Sequence, residues 1–197
     1  MSSFRQLVSQ SSASALSVLR TLEANPATWQ KLPTARSGAS HDFLLGGADS
    51  EAGRKCSYRF FVDKEERALR GVVHYGSHCE GPRRHVHGGA TASVLDVACG
   101  SLCWWLGEIV VTGQLTVKYM RLIPLGASLV LDARVTEVKG KKLLVSASLS
   151  DASEEAAARP FAEAQCTFIQ IDKSKVGWLE GKSWEGGGAA LPPKAKL

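Results

Sequence analysis

The 197-residue sequence carries 24 basic and 19 acidic side chains, a formal net charge of +5, with 44% hydrophobic and 22% charged residues. That is a globular composition with enough chain for one substantial core. No apolar run approaches the roughly 18–20 residues that a bilayer-spanning helix requires, which excludes a helical membrane span.

Residues 1–54 read as a lead-in. The opening MSSFRQLVSQSSASALSVLRTL is Ser-rich, carries only Arg5 and Arg20, and has no acid before Glu23. Mitochondrial transit peptides share this pattern, but a surface helix with an apolar stripe of Leu7, Leu16 and Leu19 is the favoured reading. A Gly/Ser/Asp-rich loop, PTARSGASHDFLLGGADSEAG, follows.

Residues 55–172 form the predicted domain. YRFFV at 58–62 and ALRGVVHY at 68–75, separated by the charged turn DKEER, predict a hairpin. The loop GSHCEGPRRHVHGG leads into an apolar segment from about Gly89 to Leu106, where Leu95, Ala98, Leu102 and Leu106 keep the spacing of a packed helical stripe. From Ile109 the period changes to two. LTVKYMRL places Leu115, Val117 and Tyr119 on one face, and SLVLDARVTEV, KLLVSASLSD and FAEAQCTFIQID supply three further strands. Hairpin, one long central helix and four strands make an α+β architecture, the helix wrapped by an antiparallel sheet.

Residues 173–197 form a Gly- and Pro-containing tail ending in Ala195-Lys196-Leu197, which resembles the SKL-type peroxisomal address. The expected location is the peroxisome, with mitochondrion or cytoplasm as alternatives. Five cysteines without CxxC spacing fit reduced thiols better than a disulfide framework.

Asp96 is the residue that needs a reason. It lies in the helix HVHGGATASVLDVACG beside Ala92, Ser93, Cys99, Gly100 and Cys103, a face of small residues that admits a ligand or another backbone. A carboxylate on such a face is a candidate general base. His87-Gly88-Gly89 ends the loop where the helix begins, so free N–H groups of the first turn are available to polarise a carbonyl oxygen.

The HGG…D spacing from His87 to Asp96, then VVTGQLTVKYMRLIPLG, VTEVKGKKLLVSASLSD and AEAQCTFIQID, resembles the hotdog-fold acyl-CoA thioesterases. It resembles especially the branch of thioesterase superfamily member 4 and the bacterial phenylacetate-pathway thioesterase, over roughly residues 56–172. The resemblance implies a hotdog fold, hydrolysis of fatty acyl-CoA without a cofactor or metal, and a homodimer or tetramer of dimers. It further implies Asp96 as base or nucleophile, the Gly89 N–H as the group polarising the thioester carbonyl, and Thr112 placing the water from the partner subunit. His87 steadies the turn. CoA contacts are implied for Gly88, Lys118, Met120, Arg121, Lys141 and Lys142, with Leu143, Leu144, Val145 and Ser146 along the nucleotide arm. The family's polar Asn and Lys on the first of these strands are replaced by Lys118 and Met120.

Other readings carry less weight. His74, His78, Cys79, His85 and His87 crowd one segment, but their spacing fits no closed zinc pattern. The basic residues are dispersed and lack the interleaved aromatics of a nucleic-acid platform. Trp104 and Trp105 read as core or dimer-contact aromatics. A hotdog hydratase or dehydratase, or a non-catalytic acyl-CoA-binding protein, is the alternative function; the His-Phe-Pro-Gly turn of the former is absent from the sequence.

Overall fold

A computed structural model describes residues 4–32, 55–152 and 159–172. The loop predicted around 33–54 and the tail at 173–197, with its Ala-Lys-Leu ending, lie outside the described residues. The elements before the hairpin are helices α1 (Phe4–Ser11) and α2 (Ala13–Ala24) and a short strand β1 (Gln30–Lys31). After it come β2 (Cys56–Asp63), β3 (Ala68–Tyr75), α3 (Gly88–Trp105), β4 (Val110–Tyr119), β5 (Ser128–Lys139), β6 (Lys142–Ser150) and β7 (Ala162–Gln170).

The strands form one sheet in the order β1-β2-β3-β5-β6-β7-β4, and every neighbouring pair is antiparallel. The predicted hairpin is β2–β3, and the four predicted later strands are β4 to β7; only β1 carries too few residues to signal itself. Helix α3 packs across one face of the sheet. Its Thr91, Val94, Leu95, Ala98, Cys99, Leu102 and Cys103 are buried at the spacing of one helical face. Alternate residues of the strands meet it, including Phe60 and Val62 on β2, Leu143, Val145 and Leu149 on β6, and Cys166 and Phe168 on β7. Each buried Leu or Phe contributes about 1.5–3 kcal/mol of transfer free energy.

The strand period also fills a second, smaller core on the outer face. Phe61 and Val72 point away from α3 and meet Val8, Ala15, Leu19 and Leu22 of the first two helices. The predicted stripe was Leu7, Leu16 and Leu19; Leu7 and Leu16 are only half-buried. The reason is Ser12, whose Oγ accepts the Ala15 N–H at 3.1 Å and starts a new helix, changing the face that follows. Glu23 on α2 pairs with Arg5 and Arg59, tying both helices to the sheet. His74 Nδ1 lies 3.0 Å from the Ser128 Oγ, which meets the Ser11 Oγ, a buried polar pin beneath α1. The five cysteines are free and buried.

Candidate active site

The HGG turn is held from several sides. The His87 N–H donates to the Cys79 carbonyl at 2.7 Å, and the Val86 N–H to the Ile123 carbonyl at 2.9 Å, so the loop enters α3 at a set angle. His87 is the extended cap residue, φ −64° and ψ 135°, and its Nδ1 accepts the Gly89 N–H at 2.9 Å. A Cβ at Gly89 would stand 2.9 Å from that nitrogen, so the close approach favours glycine. From the far end of β4, the Tyr119 hydroxyl donates to the Gly88 carbonyl at 3.0 Å. The predicted alternation put Tyr119 on one face with Leu115 and Val117, but nothing in the pattern indicated that its hydroxyl reaches the turn.

Two turns along α3, Asp96 is half-buried, and its Oδ1 accepts the Thr112 hydroxyl at 2.9 Å. Thr112 precedes a bulge at Gly113, where the β4–β7 register shifts. A Cβ at Gly113 would stand 2.9 Å from Ile169 Cγ1, so the bend needs glycine. Thr112 was expected to reach the site from a partner subunit. It meets Asp96 of its own chain, because the short Gly107–Ile109 connection, with Gly107 at φ 86°, reverses the chain and lays β4 beside the helix it has just left. The small-residue face is otherwise as expected: Ser93 Oγ donates to the Gly89 carbonyl at 2.8 Å, and Gly100 lies 3.6 Å from the Phe168 ring. The Cys99 thiol, beside Cys166 and fully buried, is pushed well above its usual range and presents a neutral neighbour to Asp96.

The seven-residue step from Gly89 to Asp96 spans about 10 Å of helix axis at 1.5 Å per residue. A nucleophile and an oxyanion donor must both stand near 3 Å from the reacting atoms. The Gly89 N–H and the Asp96 carboxylate of a single chain are therefore too far apart to meet at one carbonyl, whereas Asp96 and Thr112 are hydrogen-bonded within one chain.

The basic residues divide into two groups. Cross-strand rows link Lys142 through Ile169 to Val111, and Leu143 through Phe168 to Thr112, so the Lys139–Lys142 turn lies at the Thr112 end of the sheet. Lys118, Met120 and Arg121 are exposed at the other end of β4, about 20 Å away at 3.3 Å per residue. Arg121 stacks its guanidinium 4.0 Å above the Phe161 ring and donates to the Arg159 carbonyl. Leu143 and Val145 were expected along a nucleotide arm; they are instead 0% and 2% exposed within the core, since the period of two turns them toward α3. Leu144 and Ser146 face the opposite side and are half-buried.

The crowded histidines do not converge. His74 meets Ser128, His85 contacts the Arg83 carbonyl through its own Nδ1, His87 caps α3, and Cys79 points to Cys56 at 3.4 Å. Trp104 and Trp105 are half-buried against the core, with Lys64 5.6 Å above the Trp105 ring.

Residues 84–158 match the thioesterase superfamily profile. The acyl-coenzyme A thioesterase THEM4 of Rattus norvegicus is 30% identical over 169 residues, covering 75% of this chain and 72% of that protein. A solved thioesterase superfamily protein superposes with a TM-score of 0.52 at 26% identity, covering 57% of this chain and 53% of its own. The E. coli PaaI protein, from the phenylacetic acid degradation operon, shares the fold with a TM-score of 0.52 at 16% identity, covering 62% of this chain and 83% of its own.

Proposed function

Because this chain belongs to the thioesterase superfamily and is an acyl-CoA thioester hydrolase, we propose that Asp96, oriented by Thr112, is the carboxylate that attacks or activates water at a fatty acyl thioester. The Thr112–Asp96 hydrogen bond carries this reading. It leaves one carboxylate oxygen free of that contact and holds the side chain in one rotamer, as a positioned base or nucleophile requires. Water adds to the thioester carbonyl, the oxyanion is stabilised by the Gly89 N–H, and the C–S bond breaks to release CoA and the fatty acid.

The spacing along α3 supports, as the active form, a homodimer in which Asp96 and Thr112 of one chain face Gly89 of the partner subunit. Strand β4 supports that assembly. Its ladder partner among the described residues is β7 alone, and Val111, Tyr119, Met120 and Leu122 are 43–62% exposed along and just past it. An unpaired edge of this length is a pairing template, and a second copy running antiparallel satisfies it. The same antiparallel pairing carries the Lys139–Lys142 turn of one chain toward Lys118 and Arg121 of the other, joining two basic groups that one chain keeps apart. Together they offer the positive charge that a CoA nucleotide with its phosphates needs.

A thiol-release assay of the purified chain against acyl-CoA of graded length tests the reading. Release of CoA from at least one length, abolished in Asp96→Ala, is expected. Tight acyl-CoA binding with no CoA release at any length would leave a binding protein in its place.

A further inference from the structure

The peptide plane between Gly88 and Gly89 is gripped at both ends. Its carbonyl oxygen accepts the Tyr119 hydroxyl at 3.0 Å, and its N–H is the one directed at the His87 imidazole at 2.9 Å. These belong to a single amide, so the two contacts are not independent. We propose that Tyr119 is a positioning residue: by donating to the Gly88 carbonyl it fixes the orientation of this amide and polarises it, making the Gly89 N–H a stronger donor to the thioester oxygen.

A Gly–Gly peptide is the backbone unit least hindered from rotating, because neither residue carries a Cβ. At this turn the amide must present its N–H outward whenever the imidazole gives way to a substrate. The tyrosine ring lies against the turn, 3.6 Å from the position a Cβ would take on Gly88, so the hydroxyl reaches its acceptor without a bridging water. Withdrawing electron density at the carbonyl end of an amide strengthens the hydrogen bond made at the nitrogen end, by about 10–30% in condensed phase. Tyr119 belongs to β4, the strand that also carries Thr112. One strand thus steadies the carboxylate at one end and the carbonyl-polarising amide at the other, and in the proposed dimer those two ends serve different sites.

The inference rests on the thioesterase reading, and its test separates the two. Tyr119→Phe deletes only the hydroxyl and keeps the ring with its contacts to the turn and along the β4 edge, so the fold and the proposed dimer should tolerate it. Two measurements are made on wild type and variant: steady-state CoA release, and the amide proton resonance of Gly89 in the ligand-free protein. The expected result is kcat lower by about three- to tenfold with KM within twofold, together with an upfield shift of the Gly89 amide proton. An unchanged kcat, a loss confined to KM, or an unmoved Gly89 resonance in a folded variant overturns the proposal. A wild type that releases no CoA withdraws the hydrolase reading instead, and the Gly89 resonance still decides whether Tyr119 holds the amide.

Discussion

The Thr112 hydroxyl donates to Asp96 Oδ1 at 2.9 Å within one chain, joining the first bulge of β4 to the third turn of α3. A hydroxyl in this place has one donor and gives it to the carboxylate, so the side chain of Asp96 is held before any substrate arrives. Asp96→Asn retains shape and hydrogen-bonding size but loses proton acceptance and nucleophilicity, and turnover should fall by about two to four orders of magnitude with acyl-CoA binding retained. Thr112→Val, which removes only the orienting bond, should cost about tenfold in kcat. Thiol release gives the rates and equilibrium dialysis with a non-hydrolysable acyl-CoA gives the binding; an Asn variant with normal turnover would assign Asp96 a structural role.

The division of labour between subunits can be read by complementation. Asp96→Ala and Thr112→Ala disable the same chain's half of the site, so their heterodimers should stay as inactive as the weaker sites allow. Asp96→Ala mixed with Gly89→Pro disables opposite halves. Proline at the first turn of a helix removes the N–H; because a Cβ here stands 2.9 Å from His87 Nδ1, the imidazole must give way, and folding and dimerisation of this variant are verified before mixing. Half of the randomly mixed dimers then contain one intact site of two, and activity should return to about a quarter of wild type. Recovery in the first mixture and none in the second would place the subunit boundary between Asp96 and Thr112.

The Lys141 and Lys142 turn is exposed and carries the charge expected to draw in the CoA nucleotide. Replacing both with Gln should raise KM for acyl-CoA by several-fold and flatten its dependence on ionic strength, because the attraction acts over about a Debye length. A short thioester without the nucleotide should be hydrolysed as before. Equal losses on both substrates would mean that the turn acts through the fold.

His74 predicts how stability responds to acid. Burial holds its imidazole below the ordinary histidine range, so the folded chain keeps it neutral while the unfolded chain binds a proton at about pH 6.5. The unfolded state therefore holds more protons as pH falls through that value, and stability declines until the folded imidazole itself titrates, where the loss levels off. Thermal melts from about pH 7.5 down to about pH 5.5 should show this decline in wild type and a shallower one in His74→Gln. Identical slopes would remove His74 from the account. Because the ring meets Ser128 and, through it, Ser11, the acid-induced loss should start where α1 rests on the sheet, visible as early amide exchange in residues 4–11.

Much of this molecule was written in local patterns. The period of two from Ile109 onward predicts β4 to β7, and the 3–4 spacing of Leu95, Ala98 and Leu102 predicts α3 and its buried face, because side-chain direction follows directly from backbone repeat. The isolated carboxylate among small residues singled out Asp96 for the same reason. The glycine turn was read from its place at the start of the helix, whereas Thr112, whose role no spacing reveals, came from resemblance. What required the tertiary structure was every relation across the sheet. Strand order puts β4 at the edge, next to β7 rather than β5, and only then do Thr112 and Tyr119 reach the middle and the N-terminus of one helix. Strand register puts the Lys139–Lys142 turn and Lys118 at opposite ends, and turns Leu143 and Val145 inward. Pairing between strands distant in sequence depends on how the whole core closes, so local pattern decides which face a residue takes while the closed sheet decides what it faces.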